Sequence, residues 1–382
     1  MKNIIISTLL IGLINITISD PDLTTYYKTF VENNGYQLED HLVKTEDGYI
    51  LNIWHIAPKN PSSKVVFFQH GLADTAWCFF QLGSNSLPFL LLKEGYDLWF
   101  GNNRGTIFSL KHESKDPYDE KSGFFDYTMD DYVKYDLPTS ISYVKSQTGV
   151  EKVSYIGHSQ GTTTFFMLYM HNPQFVESSI DHSISLATVP NLAYANVPVI
   201  KLLDIFYTLL KKINAGQGIG ILGLKDATRL KISKFCLQFS SFCQSLFESG
   251  STLKPSGIVD YTQLYNYLYY YPGGTSNKNL LQWDQIKALK QLVYYNPNYD
   301  QEKTATPYNT DVFKQWKVKT LVTRTDNDPV SAYQDLTDLK NSINNDSILT
   351  VLDIPNYGHI DVLAGQSAIK DIYDKIIEFL KE

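Results

Sequence analysis

The chain has 382 residues, of which 43% are hydrophobic, and its 33 basic and 40 acidic side chains give a formal net charge of -7. This length and composition allow one large globular domain with an insertion, or two ordinary domains. The negative charge, together with the absence of any block of Lys and Arg that could follow phosphates, argues against a nucleic-acid partner.

The N-terminal residues have the layout of a secretory signal peptide. An early lysine precedes an apolar run from Ile4 to about Ile18, and the small residue Ser19 follows. This pattern predicts cleavage near Ser19, which removes residues 1–19. A short membrane anchor is the alternative, but the run is short, polar residues interrupt it and no positive flank follows it. No later segment is long and apolar enough to span a bilayer, so the mature chain is predicted to have no stable transmembrane segment.

Short β-branched runs alternate with helix-length segments, which predicts βαβ units and a mostly parallel sheet flanked by helices. The alternation stops over residues 191–306, where amphipathic helical patterns occur at 199–213 and 233–247. We interpret the chain as one α/β core, residues 20–190 and 307–382, interrupted by a helical cap, because two separate domains would remove the last strands from their sheet. The predicted strands are Tyr49–Ala57, Lys64–Gly71, Tyr96–Gly105, Lys152–Ser159, Ser183–Pro190, Lys319–Asp326 and Ile348–Pro355, and the last helix is Gln366–Glu382.

The chain has three cysteines. The secretory pathway is oxidising and permits a disulfide, for which the close pair Cys236 and Cys243 is the natural candidate. Cys78 is then predicted to be a buried thiol.

The segment VSYIGHSQGTTTF, residues Val153–Phe165, runs from a predicted strand through a turn into a predicted helix. Its turn matches the pattern G-x-S-x-G. Glycines at 157 and 161 remove Cβ atoms where strand and helix crowd together, so a sharp turn can lift the Ser159 hydroxyl above the sheet. An ordinary polar loop serine is the alternative, but the strand–turn–helix context favours a nucleophile.

A nucleophilic serine needs a histidine to take its proton and a carboxylate to orient that histidine. In this architecture both partners follow later strands, in the order Ser, acid, His. His359 follows the last predicted strand, and no other histidine lies in the C-terminal half of the chain, so His359 is the predicted general base and acid. The acid is Asp328 or Asp326, with Asp353 and Asp361 as weaker candidates.

The negative charge that develops on the substrate needs an oxyanion hole made of backbone N–H groups. We predict that Gln160, the residue after the nucleophile, and Leu72, in the loop after an early strand, supply them. His70 and His158 are expected to support these two loops. Arg104 is expected to form a buried ion pair that braces a core loop. The eight histidines show no metal-ligand spacing, and neither a metal nor a cofactor is predicted.

Segments along nearly the whole mature chain resemble the acid lipase family of α/β-hydrolases, which includes lysosomal acid lipase and gastric lipase. The resemblance implies an α/β-hydrolase fold with a helical cap, Ser159 as nucleophile, and Leu72 and Gln160 as oxyanion donors. It also favours Asp328 over Asp326, because the step from Asn327-Asp328 to Gln334-Asp335-Leu336 keeps the family spacing. The segments are EDHLVKTEDGYILNIWHI, QHGLADTAW, GYDLWFGNNRGTIFSLKH, TGVEKVSYIGHSQGTT, YYPGGTSNKNLLQW and NYGHID.

The resemblance implies hydrolysis of lipid esters, triglycerides and/or sterol esters, at a lipid–water interface by a secreted or lysosomal-type enzyme. The alternatives are a general carboxylesterase or an acyltransferase on the same triad. A non-catalytic lipid-binding protein is a further alternative, but such proteins usually lose a triad residue, and here all three are present.

Overall fold

The computed structural model describes residues 25–195, 220–221, 226–343, 345 and 348–382. The predicted signal peptide and the predicted helical stretch at 199–213 therefore lie outside the described residues. In the parts of the chain just given, no helix combines the length and the apolar character that crossing a membrane requires.

The strands, in chain order, are β1 (Glu39–Lys44), β2 (Ile50–Ile56), β3 (Val65–Gln69), β4 (Asp97–Gly101), β5 (Val153–His158), β6 (Ile180–Leu186), β7 (Gly220–Ile221), β8 (Thr275–Ser276), β9 (Lys319–Arg324) and β10 (Leu349–Asp353). Eight of them form one sheet in the order β1-β2-β4-β3-β5-β6-β9-β10. The pairs β1–β2 and β2–β4 are antiparallel and the remaining pairs are parallel. The mostly parallel sheet predicted from the sequence is thus confirmed, and β7 and β8 form a separate two-stranded ribbon.

Helices cover both faces of the sheet, and polar or flexible residues mark several of their ends. The Asn172 side chain accepts a hydrogen bond from the Phe175 N–H, and Pro173 is the first helical residue of α5, which is a typical helix start. The helices are α1 (Tyr26–Asn33), α2 (Leu87–Lys93), α3 (Leu137–Thr148), α4 (Gln160–His171), α5 (Pro173–Ser179), α6 (Asp226–Gln238), α7 (Ser240–Ser251), α8 (Leu264–Tyr270), α9 (Asn277–Leu289), α10 (Tyr333–Ile343) and α11 (Asp374–Phe379), with single turns at Met129–Asp131, Tyr299–Glu302 and Asp361–Ala364 and π-helical turns at Tyr132–Asp136 and Ile369–Tyr373.

Strand β3 shows how the sheet separates two hydrophobic cores. Val66 and Phe68 belong to the core that also contains residues of α1, α2 and α11. Val65 and Phe67 belong to the core on the other face, with residues of α3, α4 and α10. Successive side chains of a strand point to opposite faces, so a strand covered on both sides reads as a continuous apolar run. This explains why the sequence pattern could identify these strands.

The predicted strands are all present, but their C-terminal ends were placed too late. The difference is four residues in β4, predicted to end at Gly105 and observed to end at Gly101, and in β6, predicted over Ser183–Pro190 and observed over Ile180–Leu186. Ala187 ends this strand with a left-handed φ of 45°, and its N–H donates to the Thr323 hydroxyl at 3.0 Å. The chain leaves the sheet early because the loops after the strands make their own hydrogen bonds.

The described part of the insertion packs on both cores. Tyr267 and Tyr270 of α8 are buried in the core with α1, whereas Trp283 and Ile286 of α9 are buried in the core with α4. The cap boundaries at 191 and 306 stay a prediction.

The predicted disulfide is confirmed, because Cys236 of α6 and Cys243 of α7 form one bridge. Cys78 is a buried free thiol, as predicted. Its burial raises the pKa well above the ordinary value of a thiol, so it stays protonated.

Candidate active site

Ser159 lies at the sharp turn between β5 and α4. Its backbone has φ 52° and ψ -120°, a sparsely populated conformation that costs of order 1–3 kcal/mol and persists only where the surroundings impose it. The Ser159 N–H donates to the Leu186 carbonyl at 3.0 Å, and the Ser159 carbonyl accepts the Thr162 N–H at 2.8 Å. These bonds hold the serine at the C-terminal end of the parallel strands.

The two glycines of the motif lie where backbones approach closely. A Cβ at Gly157 would lie 2.9 Å from the Gly161 backbone, and a Cβ at Gly161 would lie 2.3 Å from the Gln69 carbonyl oxygen. A third glycine, Gly71, brings the loop after β3 against the nucleophile, because its Cβ would lie 3.0 Å from the Ser159 Cβ. The motif therefore needs glycine for close packing, as the sequence predicted.

The structure brings together the three residues predicted to form the triad. The His359 Nε2 lies 2.7 Å from the Ser159 Oγ, and the His359 Nδ1 lies 2.7 Å from the Asp328 Oδ2. The Asp328 side chain is fully buried and the His359 side chain is 13% exposed. In this arrangement the imidazole can accept the serine proton on one nitrogen while it donates a proton to the carboxylate from the other.

In the loop after β9, Asp328 and Asp326 have different hydrogen-bond partners, and only Asp328 faces His359. The second oxygen of Asp328 accepts the N–H groups of Val330 at 2.7 Å and Ser331 at 2.9 Å, which leaves its Oδ2 for His359. The rival Asp326 instead accepts the Asn356 N–H at 2.8 Å. Asp326 thus joins the acid loop to the segment that carries His359, and it is not in the triad.

The two weaker candidates are also engaged elsewhere. Asp353 forms a bidentate pair with Arg324, and Asp361 accepts the Gly358 N–H at 2.7 Å. Neither reaches His359 Nδ1, which Asp328 occupies.

The end of α7 and the residues just after it contact both the loop of Asp328 and the loop of His359. The His359 N–H donates to the Ser251 carbonyl at 2.7 Å, and the Leu253 N–H donates to the Asn327 carbonyl at 2.9 Å. A Cβ at Gly358 would lie 2.2 Å from the Thr252 Cγ2. The predicted cap therefore contacts the loops of the predicted acid and base, and glycine is needed beside His359 for this contact.

The predicted oxyanion donors lie on two adjoining loops. Gln160 is the first residue of α4, and neither its N–H nor that of Leu72 makes a hydrogen bond to any residue that the structure describes. His70 supports the Leu72 loop as expected, since its Nδ1–H donates to the Gly71 carbonyl at 2.8 Å and its Nε2 accepts the Asn103 N–H at 3.1 Å. Burial lowers the His70 pKa to about 4, so it stays neutral.

His158 lies behind the base loop, with its Nε2 at 3.2 Å from the His359 carbonyl oxygen. Burial, and secondly the neighbouring His359, lower its pKa to about 3. A neutral His158 can thus donate Nε2–H to that carbonyl, which supports the loop that carries His359. Its expected support of the Ser159 turn stays a prediction.

Asp74 buttresses the oxyanion loop from behind, a role that the sequence analysis did not predict. Its carboxylate accepts the Thr75 N–H at 2.8 Å and the Tyr267 hydroxyl of the cap at 2.9 Å. Burial raises the Asp74 pKa to about 7. The cap segment also contributes Gly273, whose N–H donates to the Ala73 carbonyl at 2.7 Å.

Trp283 of α9 contacts Gln160, one of the two predicted oxyanion donors. Its Nε1–H donates to the Gln160 side-chain oxygen at 2.7 Å, and both residues are buried. The contact fixes the residue whose backbone N–H is a predicted oxyanion donor. Trp283 lies in the family-like segment YYPGGTSNKNLLQW, but nothing in the sequence indicates that its partner is Gln160.

Two other predicted or possible sites near the core are structural. Arg104 forms the predicted buried ion pair, with its guanidinium on Asp136 at 2.6 Å and on Asp47 at 2.5 Å. Asp74, Cys78 and His158 bring potential metal ligands within 4.8 Å of one another. The carboxylate oxygens of Asp74 in this second group already accept hydrogen bonds from Thr75 and Tyr267.

Comparison with known proteins shows the family. Residues 27–83 match the model of the partial alpha/beta-hydrolase lipase region, and residues 64–208 match the model of the alpha/beta hydrolase fold. Human lipase member K is 31% identical over 379 residues, covering 95% of this chain and 92% of that protein. Human lysosomal acid lipase/cholesteryl ester hydrolase is 30% identical over 386 residues, covering 96% and 93%.

The fold is also that of a solved esterase. The carboxylesterase CesB (YbfK) of Bacillus subtilis matches with a TM-score of 0.52 at 10% identity, covering 94% of this chain and 96% of that one. At this identity the likeness shows the α/β-hydrolase fold alone, and the family follows from the sequence relatives. The chain belongs to the acid lipase family of α/β-hydrolases, a family of serine carboxylic ester hydrolases.

Proposed function

We propose that this protein hydrolyses carboxylic esters of lipids, triglycerides and/or sterol esters, through an acyl-enzyme formed on Ser159. The observation that carries the proposal is the pair of 2.7 Å contacts that join Ser159, His359 and Asp328. The lipid part of the proposal is supported by the relatives, one of which is named a cholesteryl ester hydrolase.

The first half of the reaction acylates the serine. The Ser159 Oγ attacks the ester carbonyl carbon while the His359 Nε2 takes its proton, and Asp328 stabilises the imidazolium that forms. The carbonyl oxygen becomes an oxyanion that accepts the N–H groups of Leu72 and Gln160. One such donor is worth about 2.7–4 kcal/mol of barrier lowering. The ester C–O bond then breaks, and His359 gives the proton to the departing alcohol.

The second half returns the free enzyme. A water molecule takes the place of the alcohol, His359 Nε2 removes its proton, and the hydroxide attacks the acyl carbonyl. The same oxyanion donors stabilise the second tetrahedral intermediate. Its collapse releases the fatty acid and returns the proton to Ser159, so the cycle requires no cofactor or metal.

The cap presents an apolar surface suited to a lipid–water interface. Large apolar side chains on α6 and α7, between them and just after α7 are 37–63% exposed: Ile232, Leu237, Phe239, Phe242, Leu246 and Leu253. Exposed apolar patches of this kind mark interaction or membrane surfaces. Leu253 directly follows Ser251 and Thr252, which contact the loop of His359, so a lipid surface bound at Leu253 would lie close to the catalytic residues.

We also propose that the protein enters the secretory pathway and acts outside the cell or in a lysosome-like acidic compartment. The N-terminal signal pattern supports this, and so does the disulfide between Cys236 and Cys243, because disulfides persist in oxidising compartments. Lysosomal and gastric lipases are among the relatives.

The test compares the purified mature chain with Ser159→Ala on emulsified triolein, a cholesteryl ester and a short soluble ester, at acidic and mildly alkaline pH. Cleavage of the long esters by the wild type alone supports the proposal. Cleavage of only the short ester would indicate a general carboxylesterase, and transfer to an added alcohol in place of hydrolysis would indicate an acyltransferase. Equal behaviour of both proteins would contradict the Ser159 mechanism.

A further inference from the structure

A second cluster of chemically active side chains lies at the antiparallel edge of the sheet. Glu39 and His41 are two residues apart on β1, and His55 of β2 is directly opposite Glu39 in the register. Because alternate side chains of a strand share a face, all three project from the same side. The Glu39 Oε2 lies 3.7 Å from the His41 Nε2 and 3.6 Å from the His55 Nδ1.

The other nitrogen of each imidazole is held by a neighbour. The His55 Nε2 lies 2.6 Å from the Asp97 Oδ1, and the His41 Nδ1 lies 2.9 Å from the Tyr143 hydroxyl. In the tautomers that donate at these nitrogens, the two that face Glu39 are unprotonated and can bind a metal ion. A carboxylate such as that of Asp97 is a usual partner for the second nitrogen of a metal-binding histidine.

The His41 Nε2, the nitrogen that faces Glu39, is the atom of this cluster that most needs a ligand. It is buried, and within the described residues it has no hydrogen-bond partner. A buried polar atom without a partner is unfavourable. Both imidazoles also lie against Trp99, with ring centroids 4.1 Å from His55 and 4.8 Å from His41, which restricts their movement.

We propose that Glu39, His41 and His55 bind a divalent transition-metal ion, Zn²⁺ being the physiological choice, with solvent in the fourth position. Two imidazoles and one carboxylate form a donor set that Zn²⁺ uses in proteins. Tetrahedral bonds of about 2.0–2.1 Å place ligand atoms about 3.4 Å apart. The Glu39 oxygen lies 3.6 and 3.7 Å from the two imidazole nitrogens, and all three ligand atoms lie within 4.8 Å of one another.

The site lies away from the triad. Asp97 starts β4 opposite Val65, whereas the oxyanion loop follows Gln69 at the other end of β3. A bound ion would join the edge strand β1 to β2 and stabilise the pair against opening. This inference does not depend on the proposed ester hydrolysis.

The experiment uses the untagged mature chain, treated with a chelator and then titrated with ZnCl₂ by calorimetry, and with CuCl₂ by quenching of tryptophan fluorescence near Trp99. We expect saturable binding of one ion and a melting temperature raised by several degrees at saturation. Glu39→Gln, at a side chain that is 54% exposed, should weaken binding at least tenfold, and His41→Gln should abolish it. The matched control His171→Gln, at the exposed end of α4, should bind as the wild type does.

Absence of saturable binding in the wild type would overturn the proposal. An unchanged affinity in Glu39→Gln would also overturn it. Because Glu39 is exposed, this variant remains a valid test if His41→Gln fails to fold. Hydrolysis of a soluble ester should be the same for Glu39→Gln and the wild type, which separates this result from any test of the triad.

Discussion

The nucleophile turn and the two loops that complete the triad are stabilised in different ways. The Ser159 turn is held by its own strand, its own helix and the neighbouring strands of the core. The loops of Asp328 and His359 instead contact the segment Ser251–Lys254 of the cap. A local motif can therefore provide the nucleophile, whereas the geometry of the acid and the base depends on contacts with residues that are distant in the sequence. The predictions below test that division.

The largest effect is expected from the two carboxylates of the acid loop. Asp328→Asn should lower kcat by about 10⁴-fold, because an amide cannot hold His359 in the required tautomer or stabilise its charge. Asp326→Asn is the matched control, and it should retain most activity, because its oxygen only accepts the Asn356 N–H. Hydrolysis of a soluble ester measures both. Equal losses in the two variants would mean that the acid is wrongly assigned.

A pair of glycine variants separates the core contact from the cap contact. Gly161→Ala places a Cβ 2.3 Å from the Gln69 carbonyl, and Gly358→Ala places one 2.2 Å from Thr252 in the cap. Both should lose activity at least tenfold, but only Gly161→Ala should also lower the melting temperature strongly, since its clash is between core backbones. The control Gly250→Ala meets nothing within 4 Å and should gain about 0.5–1 kcal/mol of stability. Identical thermal losses for Gly161→Ala and Gly358→Ala would contradict the comparison.

Asp74 should make stability fall as pH rises. Its folded pKa of about 7 exceeds the ordinary value of 3.8, so the folded state keeps a proton that the unfolded state releases between these values. The free energy of unfolding therefore decreases by a few kcal/mol across this range. Asp74→Asn should remove that decrease, which thermal unfolding from pH 4 to pH 7 measures.

The opposite pH dependence is expected from His70 and His158. Their folded pKa values of about 4 and about 3 lie below the ordinary 6.5, so their contribution to stability is lost as pH falls below 6.5. The wild type and Asp74→Asn both contain these histidines and share this loss. The contribution of Asp74 is therefore measured by the difference in the free energy of unfolding between the two proteins at each pH. A difference that does not change with pH would show that Asp74 is charged in the folded protein.

The smallest effect is expected at the contact between the cap and the oxyanion hole. Trp283→Phe leaves the buried oxygen of Gln160 without its donor, which should reduce kcat about tenfold with little change in KM. The control Trp316→Phe also removes a buried indole donor, here to the Val318 carbonyl, and it should lower stability without changing kcat. Equal kcat in the two variants would mean that Trp283 only fills space.

The sequence predicted the chemical groups of the site better than the contacts that position them. Ser159, Asp328 and His359 could be found because a motif and the order of strands limit the choices. Asp74 and Tyr267 are 193 positions apart, and nothing in the residues around either one indicates the other. The cluster of Glu39, His41 and His55 was missed because its spacing matches no ligand motif, and only the strand register brings the three together.

The most direct test of the central claim is covalent labelling of the mature chain with a fluorophosphonate ester, followed by mass mapping of peptides. We expect one adduct per chain on Ser159, none in Ser159→Ala, and labelling slowed by roughly a thousandfold or more in His359→Ala. Labelling at another residue, or an equal rate without His359, would contradict the assignment of Ser159 as the nucleophile activated by His359.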